Sequence, residues 1–156
     1  MVKSKAFKVD GVLAIEHYFK NGCKSKIYTV DDILYSEYAP NTLLDKFCMR
    51  YASTMEGRRQ AASAYLNYPN KTPILIAPYT IGAFPTHSYK SFDNVWIFNH
   101  HFHIEIIEKD VTSVTFEGGM TISLNVSKYT LVQQKLRLHT MIDMFRNIEN
   151  RKEWGL

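Results

Sequence analysis

Apolar residues recur along the chain with three different spacings, and each spacing predicts a different element. The N-terminal third reads as short strands. Val12 to Phe19 is bracketed by Asp10-Gly11 and Asn21-Gly22, both hairpin-type turn signals, and a second strand is expected over about Ser25 to Val30. After Pro40 the period changes. Leu44, Phe47, Cys48 and Tyr51 fall at i, i+3, i+4 and i+7, which is one stripe of a helix. Thr42, with Asp45 three residues on, stands in a capping-box position for that helix. A second box, Ser53-Thr54-Met55-Glu56, opens a helix to about Leu66 that Pro69 and Pro73 stop. Strands return at Pro73–Ala77 and Ile81–Phe84, on either side of a Pro78 turn, and at Val95–Phe98 and Phe102–Glu108. Thr112–Glu117 and Met120–Asn125 form a hairpin across Gly118-Gly119. Alternation in Val114, Phe116 and again in Ile122, Leu124, Val126 predicts an antiparallel meander with one buried face. The last element is a long helix from a Ser127 cap to about Asn150, with Arg151–Leu156 expected to fray. Its Leu131, Leu138, Met141, Ile142, Phe145 and Ile148 share one arc, which most simply packs on the sheet. The sum is an α+β fold in one domain over residues 1–156. It is a mostly antiparallel β-meander with two short central helices and a long C-terminal helix packed on the sheet.

Composition narrows the classes. The 156 residues are 46% hydrophobic and 13% aromatic, enough for a core and too apolar for a disordered chain. The formal net charge of +4 suits a polyanionic partner without identifying one. Cys23 and Cys48 allow one disulfide by count, but the opening residues hold no apolar signal region. No stretch approaches the roughly 20 apolar residues of a membrane span. A cytoplasmic protein with reduced thiols and no membrane partner is the expectation.

Catalytic motifs are missing. There is no glycine-rich phosphate loop, no G-x-S-x-G and no H-E-x-x-H, so no enzyme is expected. His100, His101 and His103 invite a metal reading, but in a strand only His101 and His103 share a face. Neither His87, Cys23 nor Cys48 is spaced to complete a zinc site, so neither metal nor cofactor is expected. Cys48 lies on an apolar stripe and reads as core. So do Trp96, Phe98, Phe102, Phe84, Phe116 and Phe145.

Gly57-Arg58-Arg59 is the strongest candidate for nucleic-acid contact. Met55, Ala62, Tyr65 and Leu66 make the apolar arc of their helix, and the two arginines fall at its margins. They could face phosphate near a helix N-terminus. Equally, they could lie along apolar surface and pair with carboxylates. Gly57, costly in a helix by about 1 kcal/mol against alanine, would permit close backbone approach. On the last helix Lys128, Lys135, His139 and Arg146 gather with Asp143 on a polar face that reads as solvated, while Arg137 stands apart. Val132 and Leu136 lie outside the main apolar arc. They could meet another subunit or be covered by a second core layer.

Cys48-Met49-Arg50-Tyr51-Ala52-Ser53-Thr54-Met55-Glu56-Gly57-Arg58-Arg59 carries a resemblance to a known family. It continues through Pro73-Ile74-Leu75-Ile76, Phe84-Pro85-Thr86 with Ser88, and Trp96-Ile97 before His100-His101-Phe102-His103. It ends on Val114-Thr115-Phe116, Gly119, and Ser127 with Tyr129, Gln133 and Arg137. In order and spacing these blocks, over about residues 47 to 145, resemble the competence transcription factor family (ComK). The resemblance implies a bacterial activator of DNA-uptake genes that binds paired AT-rich boxes of double-stranded DNA through the minor groove, as a homo-oligomer. It implies DNA contact by Gly57, Arg58, Arg59 and Arg137, and RNA polymerase and a proteolytic adaptor as further partners. Longer members carry a tail beyond the last helix, and this sequence stops at Leu156. It therefore reads as a short member in which the tail's properties, adaptor control among them, are not carried over in full. A protein-interaction domain without DNA binding, a metal-dependent cytosolic enzyme and a single-strand binder are the rival readings.

Overall fold

The computed structural model describes residues 7–151. After a short turn of 3-10 helix at Val9–Gly11 come β1 (Val12–His17), β2 (Ser25–Thr29) and β3 (Ile33–Ser36). Helices α1 (Pro40–Met49) and α2 (Met55–Leu66) follow, then β4 (Ile74–Ala77), β5 (Ile81–Pro85) and β6 (Val95–Phe98). Strands β7 (Phe102–Glu108), β8 (Val111–Phe116) and β9 (Thr121–Leu124) lead into α3 (Lys128–Arg151). The α+β class and the long C-terminal helix agree with the sequence pattern. The fraying expected over Arg151–Leu156 falls, apart from Arg151, outside the described residues.

One expected meander is in fact two sheets. The larger is antiparallel with strand order β3-β2-β1-β6-β5-β4, and the smaller runs β7-β8-β9. Two three-stranded meanders meet where β1 pairs with β6, with Ile15 opposite Trp96. The single buried face holds for the small sheet, where Val114, Phe116, Ile122 and Leu124 point inward. It fails for the large sheet, in which every residue of β4, β5 and β6 is buried. One face packs on α1 and the start of α2 through Ile15, Ile76, Trp96 and Phe98 against Leu44, Phe47 and Cys48. The other packs on α3 and the small sheet through Leu13, Phe84 and Ile97 against Leu131, Leu138, Phe116 and Leu124. A bulge between Val12 and Ala14 interrupts the alternation of β1, so that successive Leu13 and Ala14 join the same core. Strand β3 escapes the sequence reading because its apolar residues are only half covered, at the sheet edge.

Helix boundaries correct the capping assignments. Pro40 occupies the first helical turn of α1, so the helix starts before Thr42, with extended Ala39 as its cap. Asp45 is therefore inside α1, and its carboxylate instead accepts the Met55 N–H of α2 at 2.9 Å. Thr54, not Ser53, caps α2, its hydroxyl accepting the Gly57 N–H at 2.9 Å. The helix ends on Asn67 in the left-handed region (φ 55°), two residues before Pro69. Tyr65, assigned to the apolar arc, is exposed, because α2 lies along edge strand β4 and buries only Met55 and Ala62 fully.

The expected core aromatics Trp96, Phe98, Phe102, Phe84 and Phe116 are buried, and Phe145 packs partly against the core. Cys48 is a free, fully buried thiol, and burial pushes its pKa up to about 11. Cys23 is also free and buried.

Helix α3 seats on β5 at Gly82. A Cβ there would stand 2.8 Å from Leu138 Cδ1 and 3.3 Å from the Ile74 carbonyl oxygen. Gly82→Ala is expected to destabilise the fold by about 1–3 kcal/mol, as overpacking does in a filled core. Urea unfolding checks this. The same change should cost less in a Leu138→Ala background, where the clashing methyl is gone.

Candidate nucleic-acid interface

Antiparallel pairing sorts the loops of the large sheet between two rims. His17 pairs with Ser25, Ser25 with Ser36, Glu16 with Val95, Pro85 with Trp96 and Ile74 with Ala83. Turn 18–24, loop 86–94 and the approach to β4 over 67–73 therefore share one rim. This rim bears the exposed side chains Lys20, Lys24, Lys71 and Lys90, with Glu37 and Asp93 as its loop carboxylates. The opposite rim carries Asp10, Asp31 and Asp32, which line a cavity with Lys8, and also Arg50, in a second cavity with Lys8 and Asp10, and Arg146, on the Tyr79 carbonyl.

A cleft of about 640 Å³ opens on the basic rim. Arg59 of α2, Asn70, Lys71 and Thr72 before β4, and Ser88, Tyr89 and Lys90 after β5 line it. Its walls are fixed by hydrogen bonds that span distant parts of the chain. Trp96 Nε1 donates to Asn41 Oδ1 at 2.9 Å, and Asn41 Nδ2 donates to the Tyr89 carbonyl at 2.9 Å. The Tyr89 hydroxyl donates to the Thr72 carbonyl, joining the two loops across the cleft. Burial raises the Tyr89 pKa, so this phenol stays a donor. Buried Gln134 of α3 donates to the Lys71 carbonyl at 2.9 Å and the Pro85 carbonyl at 2.7 Å.

The four expected DNA-contacting residues divide. Arg59 lines the cleft, and its guanidinium forks onto Glu56, Nε reaching Oε2 at 2.9 Å. The fork holds the exposed Glu56 carboxyl below its ordinary range. Arg137 lies behind the cleft, over the Tyr68 ring at 4.2 Å, and donates to Gln134 Oε1 at 2.6 Å and the Asn70 carbonyl at 2.9 Å. Burial lowers its pKa, and it shares the electrostatic surroundings of Tyr89 with Arg59. Arg58 turns inward instead, with Nη2 at 3.4 Å from the Ile76 carbonyl of β4 and Nε buried without a hydrogen-bond partner. Gly57 keeps the Thr54 cap open, since a Cβ would stand 3.1 Å from that hydroxyl. The structure thus puts Arg59 on the cleft and Arg137 behind its 67–72 wall, and turns Arg58 inward.

The polar face of α3 is solvated as its charge pattern suggests, with Lys128, His139, Asp143 and Arg146 exposed. Lys135 covers the Phe102 ring at 4.7 Å, and Arg146 donates to the Tyr79 carbonyl at 2.9 Å. Partial desolvation lowers the His139 pKa. The second core layer considered for Val132 and Leu136 does not form. Both are exposed and continue from exposed Tyr129 in an outward apolar stripe. Among the described residues, no three histidine, cysteine, aspartate or glutamate side chains stand together as a metal site would require. No helix among them is long and apolar enough to cross a membrane.

Lys71, Lys90, Tyr89 and Gln134 were not legible as site residues. Each lysine stands in a loop without local pattern, and only sheet topology brings them together. Gln134 did carry a signal, being a polar residue on the otherwise apolar arc of α3.

The sequence pattern of the family described as ComK protein matches residues 10–149. The Competence transcription factor of Bacillus subtilis (strain 168) is 31% identical over 117 residues, covering 72% of this chain and 60% of the relative. The chain thus spans about three fifths of the length of the curated relative it matches. No solved structure matches it. The family match extends beyond the blocks over residues 47 to 145 into the N-terminal strands. It takes in both sheets, α1, α2 and nearly all of α3. This chain belongs to the ComK family.

Proposed function

We propose that the chain is a DNA-binding transcription factor of the competence type, which grips duplex DNA along the basic rim of its large sheet. The observation that carries the reading is the gathering of cations along the cleft rim. Lys20, Lys24, Lys71 and Lys90 stand there with Arg59 and outnumber Glu37, Asp93 and Glu56, whereas on the opposite rim Lys8, Arg50 and Arg146 offset Asp10, Asp31 and Asp32. A named relative that is a competence transcription factor supports it. Phosphate neutralisation by these cations supplies most of the affinity and makes it salt-dependent. AT-rich boxes are preferred, because a narrow A·T minor groove has the deeper negative potential and draws in arginine. Arg59 lines the cleft, and exchanging its exposed Glu56 partner for phosphate turns it outward. Arg58 and Arg137 hold its surroundings, one against β4 and the other against the 67–72 loop.

Minor-groove readout separates little beyond A·T from G·C. Pairing of subunits on spaced boxes supplies the missing selectivity, and the outward stripe of Tyr129, Val132 and Leu136 is the self-association surface. The gene targets are those of DNA uptake, and the role is activation without a cofactor.

Fluorescence anisotropy with AT-rich and GC-rich duplexes across a salt series tests the central claim. The AT duplex should bind more tightly. Arg59→Ala with Lys90→Ala should shrink the log–log salt slope by about 2, near one unit for each lost phosphate contact. Equal, negligible binding of both duplexes by folded protein at low salt would sink the reading.

Glu56 competes with phosphate for the Arg59 fork. Glu56→Gln is therefore expected to raise duplex affinity several-fold while leaving the AT preference intact. An unchanged or weaker affinity in the same titration would mean that Arg59 does not reach DNA.

Val132→Asp with Leu136→Asp, both at outward positions, should leave the circular dichroism unchanged and lower the mass found by sedimentation. Retained mass would place self-association elsewhere.

A further inference from the structure

Phe19 and Phe92 are exposed at 61% and 72%, although each is a large apolar ring on a molecule with two closed cores. They do not stand singly. Their rings meet edge to face, 5.4 Å apart at 87°. His17 stacks on Phe19 at 5.7 Å and meets Phe92 edge-on at 5.2 Å. Three rings, one from the end of β1 and two from the adjoining loops, thus form one aromatic knot.

The loops holding it are tightly bonded. In the β1–β2 turn, Asn21 and Gly22 both take positive φ (55° and 75°), the Tyr18 N–H donates to the Lys24 carbonyl at 3.0 Å, and the Cys23 N–H to the Lys20 carbonyl at 2.9 Å. In the β5–β6 loop, the Ser91 N–H donates to the Ser88 carbonyl at 3.0 Å and the Asp93 N–H to Ser91 Oγ at 3.1 Å. The His87 N–H donates to Asn94 Oδ1 at 3.0 Å. The rings are therefore presented on a preformed support, which lowers the ordering cost of using them in binding.

Their place on the fold decides between occupants. Phe92 belongs to the same loop as Ser88, Tyr89 and Lys90 of the cleft. Phe19 is followed by Lys20, on the same basic rim. An apolar partner would have to cover lysines along with the rings. Duplex DNA takes both, with phosphates on the lysines and a base step against the rings. We infer that Phe19 and Phe92, backed by His17, form a wedge that enters the minor groove and partly unstacks a base step, bending the duplex so that its phosphates reach the cleft. Apolar side chains used in this way kink the duplex toward the major groove, and pyrimidine–purine steps such as TA yield most easily.

This inference rests on the DNA reading, so its test separates the two. The full chain is titrated with AT-rich duplexes carrying 2-aminopurine at successive positions. Bending is followed by energy transfer between end labels. Wild type is expected to raise 2-aminopurine emission at one step and shorten the end-to-end distance. Phe92→Ala and Phe19→Ala should abolish both signals and weaken binding about tenfold, the loss of one stacked aromatic. Their salt slope should stay as in wild type, because no phosphate contact is removed. Phe92→Leu, still a wedge, should restore most of the bend. Wild type binding with no emission change at any position would overturn the wedge and leave the DNA reading standing. Variants that bind and bend like wild type would do the same, as would variants that lose mass in sedimentation together with affinity, which would make the knot a contact between copies. Absence of duplex binding by wild type would overturn both.

Discussion

A sheet whose central strands are apolar on both faces has to be covered twice, and the rest of this molecule follows from that need. Trp96 and Phe98 look one way from β6, Val95 and Ile97 the other. Helix α1 covers the first pair's side. The small sheet and α3 together cover the second. Neither cover could stand alone, since a lone three-stranded sheet with one apolar face and a lone amphipathic helix both need a partner surface. The apolar area they close over supplies the bulk of the favourable free energy at about 25 cal/mol per Å².

The double cover also determines where chemistry can sit. With both faces of the large sheet closed, the two rims, the outer surfaces of the helices and the outer face of the small sheet remain for binding. The basic rim gains its form from residues that serve the fold at the same time. Gln134 satisfies its buried amide on the carbonyls of Lys71 and Pro85 and, by doing so, holds the cleft loop to α3. Arg137 extends the same clamp to Asn70 and Tyr68. Lys71 is thus positioned by a glutamine 63 residues further along the chain.

Much of this was readable in the residues, and the failures have physical causes. Turn signals, apolar runs and helical spacing located eight of the nine strands and the three helices among the described residues, and alternation recorded one-sided burial in β8 and β9. The missed strand β3 is an edge whose side chains are half exposed, so burial left little pattern there. The division into two sheets was not legible, since a continuous run of strands does not say where pairing stops. The Thr42–Asp45 box matched a local rule that Pro40 overrides, and the Asp45 carboxylate turned out to cap the next helix. At the candidate site, Arg59 and Arg137 could be named from motif positions. Their neighbours Lys71, Lys90 and Tyr89 required knowledge of which loops share a rim, and pairing partners far apart in sequence decide that.

The cations gathered on the cleft rim also act before any contact is made. Because Lys8, Arg50 and Arg146 offset the aspartates of the opposite rim, the positive excess of the sheet's ends is centred on the cleft rim. In the field of a polyanion such a body feels a torque as well as an attraction, so it turns its cationic end forward while still a Debye length or more away. Encounters then begin in a narrow set of orientations, and a larger share of collisions is productive than the cleft's small share of the surface would allow.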